Sequence, residues 1–174
     1  MLRIMDFAAL ATVAALVGGC TSQRPVEAKE QEQAQEQVTC GIDRPGPPVR
    51  VSQGIAGVVC FWQGDFQPGD SQGTIRPLRR TVEIHAATRR EHGVRAADGA
   101  FWGSVSTPLI ATVMSGDDGW FEVALPPGTY SLFVREPQGL YANGENDDGV
   151  ILPVQVEAGA VARTQLDVDY ASVH

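Results

Sequence analysis

The chain has 174 residues, enough for one ordinary domain and too few for two sizeable ones. It is 43% hydrophobic with 19 Gly and 11 Pro, a turn-rich composition that favours an all-β domain over a helical one. A formal net charge of -8 repels phosphate backbones and argues against nucleic acid as a partner.

In chain order, residues 1–19 read as a signal peptide. Arg3 gives a short positive start, and Phe7 to Val17 is an apolar run too short to span a bilayer. The run ends Val17-Gly18-Gly19-Cys20, which resembles the lipobox of bacterial lipoproteins. That resemblance implies cleavage before Cys20, acylation of Cys20 and a membrane held through the N-terminal lipid. With Thr21 rather than Asp next, it further implies the outer membrane, facing the periplasm or the surface. Each buried acyl methylene contributes about 0.8 kcal/mol, so several chains anchor firmly. Residues 20–50 are rich in Glu and Gln and poor in large apolar side chains. They bury too little to offset their ordering entropy and read as a flexible tether, stiffened at its end by Pro45, Pro47 and Pro48.

Residues 51–174 read as strands. Seven runs carry the signal: GIAGVVCFW, RTVEIHAAT, TPLIATVMS, WFEVAL, TYSLFVRE, GVILPVQVE and ARTQLDVDY. In the second, Val82, Ile84 and Ala86 share one face and Glu83 and His85 the other, which puts His85 in solvent. In the last, Thr164, Leu166, Val168 and Tyr170 point inward. One buried face per strand predicts a single antiparallel β-sandwich of about seven strands. Asp117-Asp118-Gly119 and Pro126-Pro127-Gly128 have the chemistry of turns, and between and beyond them the pattern predicts a hairpin.

That stretch also carries a family likeness. Ser115-Gly-Asp-Asp-Gly-Trp-Phe121, followed by Leu125-Pro-Pro-Gly-Thr-Tyr130-Ser-Leu-Phe-Val134, resembles the carboxypeptidase regulatory-like domains, which are transthyretin-like (prealbumin-like) β-sandwiches. Gly57-Val58-Val59 is similar to the opening strand of the same domains. The resemblance spans roughly residues 54–170. It implies a mostly non-catalytic module that binds protein or carbohydrate.

The chain has only His85, His92 and His174, without the His-x-His of the intradiol dioxygenases. It ends Tyr170-Ala-Ser-Val-His174, which departs from the Tyr-Arg-Gly-Ser of the hydroxyisourate hydrolases. It contains no Gly-x-Ser-x-Gly nucleophile motif. The loop Asn143 to Gly149 is acidic, but its Gly is misplaced and no Glu closes it for calcium, so neither a metal nor another cofactor is expected. Cys40 and Cys60 can form a disulfide in an oxidising compartment or remain separate thiols. Trp62, Trp102, Trp120 and Tyr141 are candidates to face a ligand, with packing at the rim or against the tether as the alternative. Gly64 to Pro77 and the Arg-rich segment Arg89 to Arg95 are placed to frame such a surface. These observations point to a lipid-anchored, non-enzymatic binding or interaction module of the cell envelope. A carbohydrate-binding module is the alternative, and a transthyretin-like hydrolase comes after it.

Overall fold

The computed structural model describes residues 40–43, 46–69 and 72–174. The expectations placed on Cys20 and on residues 1–39 lie outside them. The described residues form an all-β sandwich of two sheets. All seven expected strands are present: β1 (Gly54–Asp65), β3 (Thr81–Ala86), β6 (Leu109–Met114), β7 (Trp120–Ala124), β8 (Gly128–Glu136), β10 (Pro153–Val156) and β11 (Val161–Val173). Four short strands join them: β2 (Thr74–Pro77), β4 (Gly93–Arg95), β5 (Trp102–Val105) and β9 (Gly139–Tyr141). A single 3-10 turn, Arg90–His92, precedes β4.

The smaller sheet is built on β1. β11 lies along one side of it, while β7 and then β2 share the other. The larger sheet runs β4-β5-β9-β8-β3-β6, with β10 also on β8. Its pairings are antiparallel. The pairing of β1 with β11 is parallel, so the sandwich is mixed rather than purely antiparallel. Register there is tight: a Cβ at Gly57 would lie 2.5 Å from the carbonyl oxygen of Thr164 and 2.8 Å from the Phe121 ring. Glycine admits that approach because it has no side chain.

The expected hairpin over residues 120–136 is not formed. β7 pairs with β1 in the smaller sheet, and β8 pairs with β3, β9 and β10 in the larger. Pro126-Pro127-Gly128 is therefore the corner where the chain crosses between sheets. Gly128 has φ 159, ordinary extended backbone, and the Tyr130 hydroxyl donates to the Pro126 carbonyl at 2.8 Å to brace the corner.

The main core lies between the sheets. Ile55, Val59 and Phe61 of β1, Phe121 of β7 and Leu166 and Val168 of β11 meet Val82 and Ile84 of β3, Leu132 and Val134 of β8 and Val154 and Val156 of β10. Fully burying each such side chain stabilises by about 1.5–3 kcal/mol. The expectation of one buried face per strand fails at the centre of both sheets. β8 buries Ser131 and Phe133 on its other face, and β1 buries Ala56, Val58 and Cys60 on its own.

The cover on β1 comes from residues placed with the tether on composition. Cys40 is joined to Cys60 by a disulfide, with a Cα–Cα distance of 5.6 Å. Gly46 sits against the Trp120 ring. The backbone N–H groups of Arg50 and Val51 donate to Glu122 Oε2 at 2.7 and 3.1 Å. These bonds, Arg50's first among them, hold the Glu122 carboxyl below the usual carboxylate range.

Candidate functional site

The outer face of the larger sheet carries a second layer. The stretches that flank β4 and β5 supply it, with residues 142–152: Thr88 N donates to Ser131 Oγ at 2.9 Å, the Thr107 carbonyl meets His85, and Ile151 N donates to the Thr88 carbonyl at 2.8 Å. Together they enclose a smaller apolar cluster of Trp102, Phe133, Leu140, Ala142 and Ile151. This layer explains why His85 is buried rather than solvated. It does stand on the outer face of β3, as alternation requires, but the Thr107 carbonyl accepts from its Nδ1 at 3.1 Å. The Phe133 ring packs against it edge-on at 5.5 Å.

A groove of about 230 Å³ opens in this layer, lined by Arg90, Arg95, Trp102, Asn143, Gly144, Glu145 and Ile151. Trp102 forms part of its wall with 2% of its surface exposed. β5 aims the indole under β4, where a Cβ at Gly93 would come within 2.5 Å of the ring. The Arg95 guanidinium lies 3.7 Å from the indole centroid, an attraction between cation and ring face. Its Nη1 also donates to the carbonyls of Gly99 and Ala100 at 3.2 and 3.3 Å. Across the groove Arg90 grips Glu145 with two hydrogen bonds, from Nε at 3.1 Å and from Nη2.

The chemistry of the groove follows from those contacts. Two arginines face one carboxylate, which leaves a positive surplus in a chain of net charge -8. A guanidinium has five N–H donors. The bonds above use Nη1 of Arg95 and Nε and Nη2 of Arg90, so each group keeps donors for a guest. The Trp102 indole N–H is buried and has no partner. The lining holds no serine, cysteine or histidine, so it presents no nucleophile beside a base. Among the described residues no group of three or more His, Cys, Asp or Glu is placed to hold a metal ion.

The four candidate aromatics fall into different places. Trp102 and Tyr141 are buried and offer no open face. Tyr141 packs with Phe101 and Tyr170, and its hydroxyl donates to Asp169. Burial, then that hydrogen bond to Asp169, pushes its phenol well above the ordinary value. Trp62 is half-buried, donates from Nε1 to Asp167 Oδ1 at 2.8 Å, and packs beside Phe66. Trp120 is half-buried beneath Gly46. A shared ligand-facing platform is therefore not formed by these residues, because each ring has found packing of its own.

Two other sequence leads do converge. The Arg-rich segment brings Arg90 and Arg95, and the acidic loop brings Asn143, Gly144 and Glu145, to the same groove. The composition marked both segments, but the pairing of Arg90 with Glu145 had no sequence signal. The segment from Gly64 contributes β2 to the other sheet instead of framing the groove. His92 accepts from the Arg89 backbone N–H at 3.2 Å and does not line the groove either. Comparison of the chain with protein-family models, with curated proteins and with solved structures finds no match.

Proposed function

We propose that the chain is a lipid-anchored, non-enzymatic binding module of the bacterial cell envelope, held by Cys20 and presenting the groove between Arg90, Arg95 and Asn143 to its partner. The observation that carries the binding half is the groove itself: guanidinium donors with capacity to spare, over a buried tryptophan, without a nucleophile and base beside each other. The anchoring half rests on the residues before Cys20. The two-sheet architecture and the Ser115 to Val134 motif support grouping the chain with the carboxypeptidase regulatory-like sandwiches. The carbohydrate reading has weaker support, since neutral sugars stack on open aromatic faces and the Trp102 face is occupied by Arg95.

Two measurements test the two halves. Labelled palmitate is incorporated by the full chain and not by Cys20→Ser; equal incorporation ends the anchoring claim. A photo-cross-linker carried at Asn143 in intact cells captures a partner, and Arg95→Ala diminishes the capture. Capture that is indifferent to Arg95 ends the claim for the groove.

A further inference from the structure

The walls of the groove are tied together before any guest arrives. Arg89 and Val150 form a bridge, and Arg90 N donates to the Gly149 carbonyl at 3.2 Å, which joins the arginine segment to the acidic loop. The loop also holds its own shape. Asn146 Oδ1 accepts from Val150 N at 2.9 Å, and the Gly144 carbonyl accepts from Leu152 N at 2.9 Å. A site built in advance does not have to order its walls when it binds.

The lining carries two guanidinium groups and one carboxylate, a surplus of one positive charge. Glu145 takes Nε and Nη2 of Arg90. Both hydrogen bonds of Arg95 leave from Nη1. Its Nε and Nη2, a side of the fork that grips a carboxylate in two parallel bonds, are therefore uncommitted. Asn143 Nδ2 donates to Asp169 Oδ2 at 3.2 Å, which leaves Oδ1 as an acceptor. Trp102 adds a buried indole N–H without a partner, and Ile151 an apolar side chain.

We propose, on the reading that this groove is the binding site, that it receives the C-terminal residue of a peptide. The carboxylate sits in the fork of Arg95, and the amide N–H beside it donates to Asn143 Oδ1. One guest carboxylate cancels the surplus charge, whereas a phosphate dianion exceeds it and is repelled by Glu145. A planar carboxylate also matches the planar guanidinium, and a peptide terminus always sets an N–H donor close to that carboxylate. A sugar acid needs an open aromatic face for its ring, and Arg95 covers that of Trp102.

NMR of the isotope-labelled full-length protein in mild detergent tests this. Binding is read at the Trp102 indole N–H, assigned by elimination with Trp62→Phe and Trp120→Phe. N-acetylalanylleucine shifts that resonance saturably. The same dipeptide with an amidated terminus binds about tenfold more weakly, the scale of one charge-assisted hydrogen bond. Arg95→Lys, which keeps the charge and loses the fork, weakens the acid by a similar factor and leaves the amide unchanged. Equal affinities for acid and amide overturn the proposal, as does an Arg95→Lys variant that binds the acid as the wild type does. Glucuronate or inorganic phosphate bound as tightly as the acid overturns it too. If neither dipeptide shifts the resonance while the cross-linker at Asn143 still captures a partner through Arg95, the peptide terminus is wrong and the groove stands; if that capture is absent as well, both fall.

Discussion

Arg135 Nε lies 2.6 Å from Oε1 of Glu83, joining neighbouring strands of the larger sheet on its outer face. The other carboxylate oxygen meets His85 Nε2 at 3.2 Å. Burial pushes the Glu83 carboxyl up, but the hydrogen bonds from Arg135 and His85 outweigh it and hold the group below the ordinary carboxylate range. A carboxyl lowered in the folded state contributes stability above its unfolded value, and that stability is lost as pH falls through the folded value. Melting temperature measured from pH 6 downward falls on the acid side of about pH 4.3, the unfolded glutamate value. Glu83→Gln flattens that fall. Arg135→Ala costs about 2 kcal/mol at neutral pH, the scale of a hydrogen bond to a charged group; an unchanged midpoint in denaturant refutes it.

On the alkaline side two phenols, Tyr141 and Tyr170, are raised, each first by burial, and Tyr141 the more strongly. The Tyr141 phenol is raised in the folded state, so its contribution is present below pH 10 and is lost as pH climbs beyond that. Ultraviolet titration of the folded protein shows tyrosines that ionise after free tyrosine does. Tyr141→Phe removes one of them. Tyr170 still ionises late in that variant, so the test is the number of late phenols: if Tyr141→Phe loses none, the assignment to Tyr141 fails.

Cys40–Cys60 closes a loop with a sequence separation of 20. In the chain-entropy picture this stabilises by about 3 kcal/mol. Cys40→Ser therefore lowers the melting temperature by roughly 10 °C. Its tryptophan emission also shifts to longer wavelength as the segment over Trp120 loosens. A reducing agent that changes neither quantity in the wild type contradicts this account.

Trp102 and Trp62 separate a core aromatic from a rim one. Trp102→Ala removes a fully buried indole and costs about 3–5 kcal/mol. Trp62→Ala costs less than half of that, because the ring is only partly buried. Equal losses, read from urea midpoints, would show that the second layer does not pack as described.

Much of the fold was legible because alternation reports burial. β3 and β11 display one apolar face every second residue, and that pattern alone points to their core residues Val82, Ile84, Leu166 and Val168. Alternation names a face but not a sheet, so β7 and β8, adjacent in sequence, have the pattern of a hairpin although they lie in opposite layers. It also cannot register cover added later by a distant segment. His85 looked solvated because nothing in RTVEIHAAT says that Thr107 and Phe133 close over it. The short strands β4, β5 and β9 have only three or four residues, too few for a period to show. The groove was visible only as parts: an arginine-rich segment, an acidic loop and a tryptophan, which the larger sheet brings together.

The parallel ladder between Gly54–Asp65 and Val161–Val173 sets an order of events during synthesis. Until a ribosome has delivered residue 161 and beyond, the middle strand of the smaller sheet has a vacant flank and the core lacks Leu166 and Val168. Contacts so remote in sequence form slowly, because the intervening loop must close first. A nascent polypeptide halted before Val161 should therefore stay protease-sensitive throughout, and acquire its resistance in one late step.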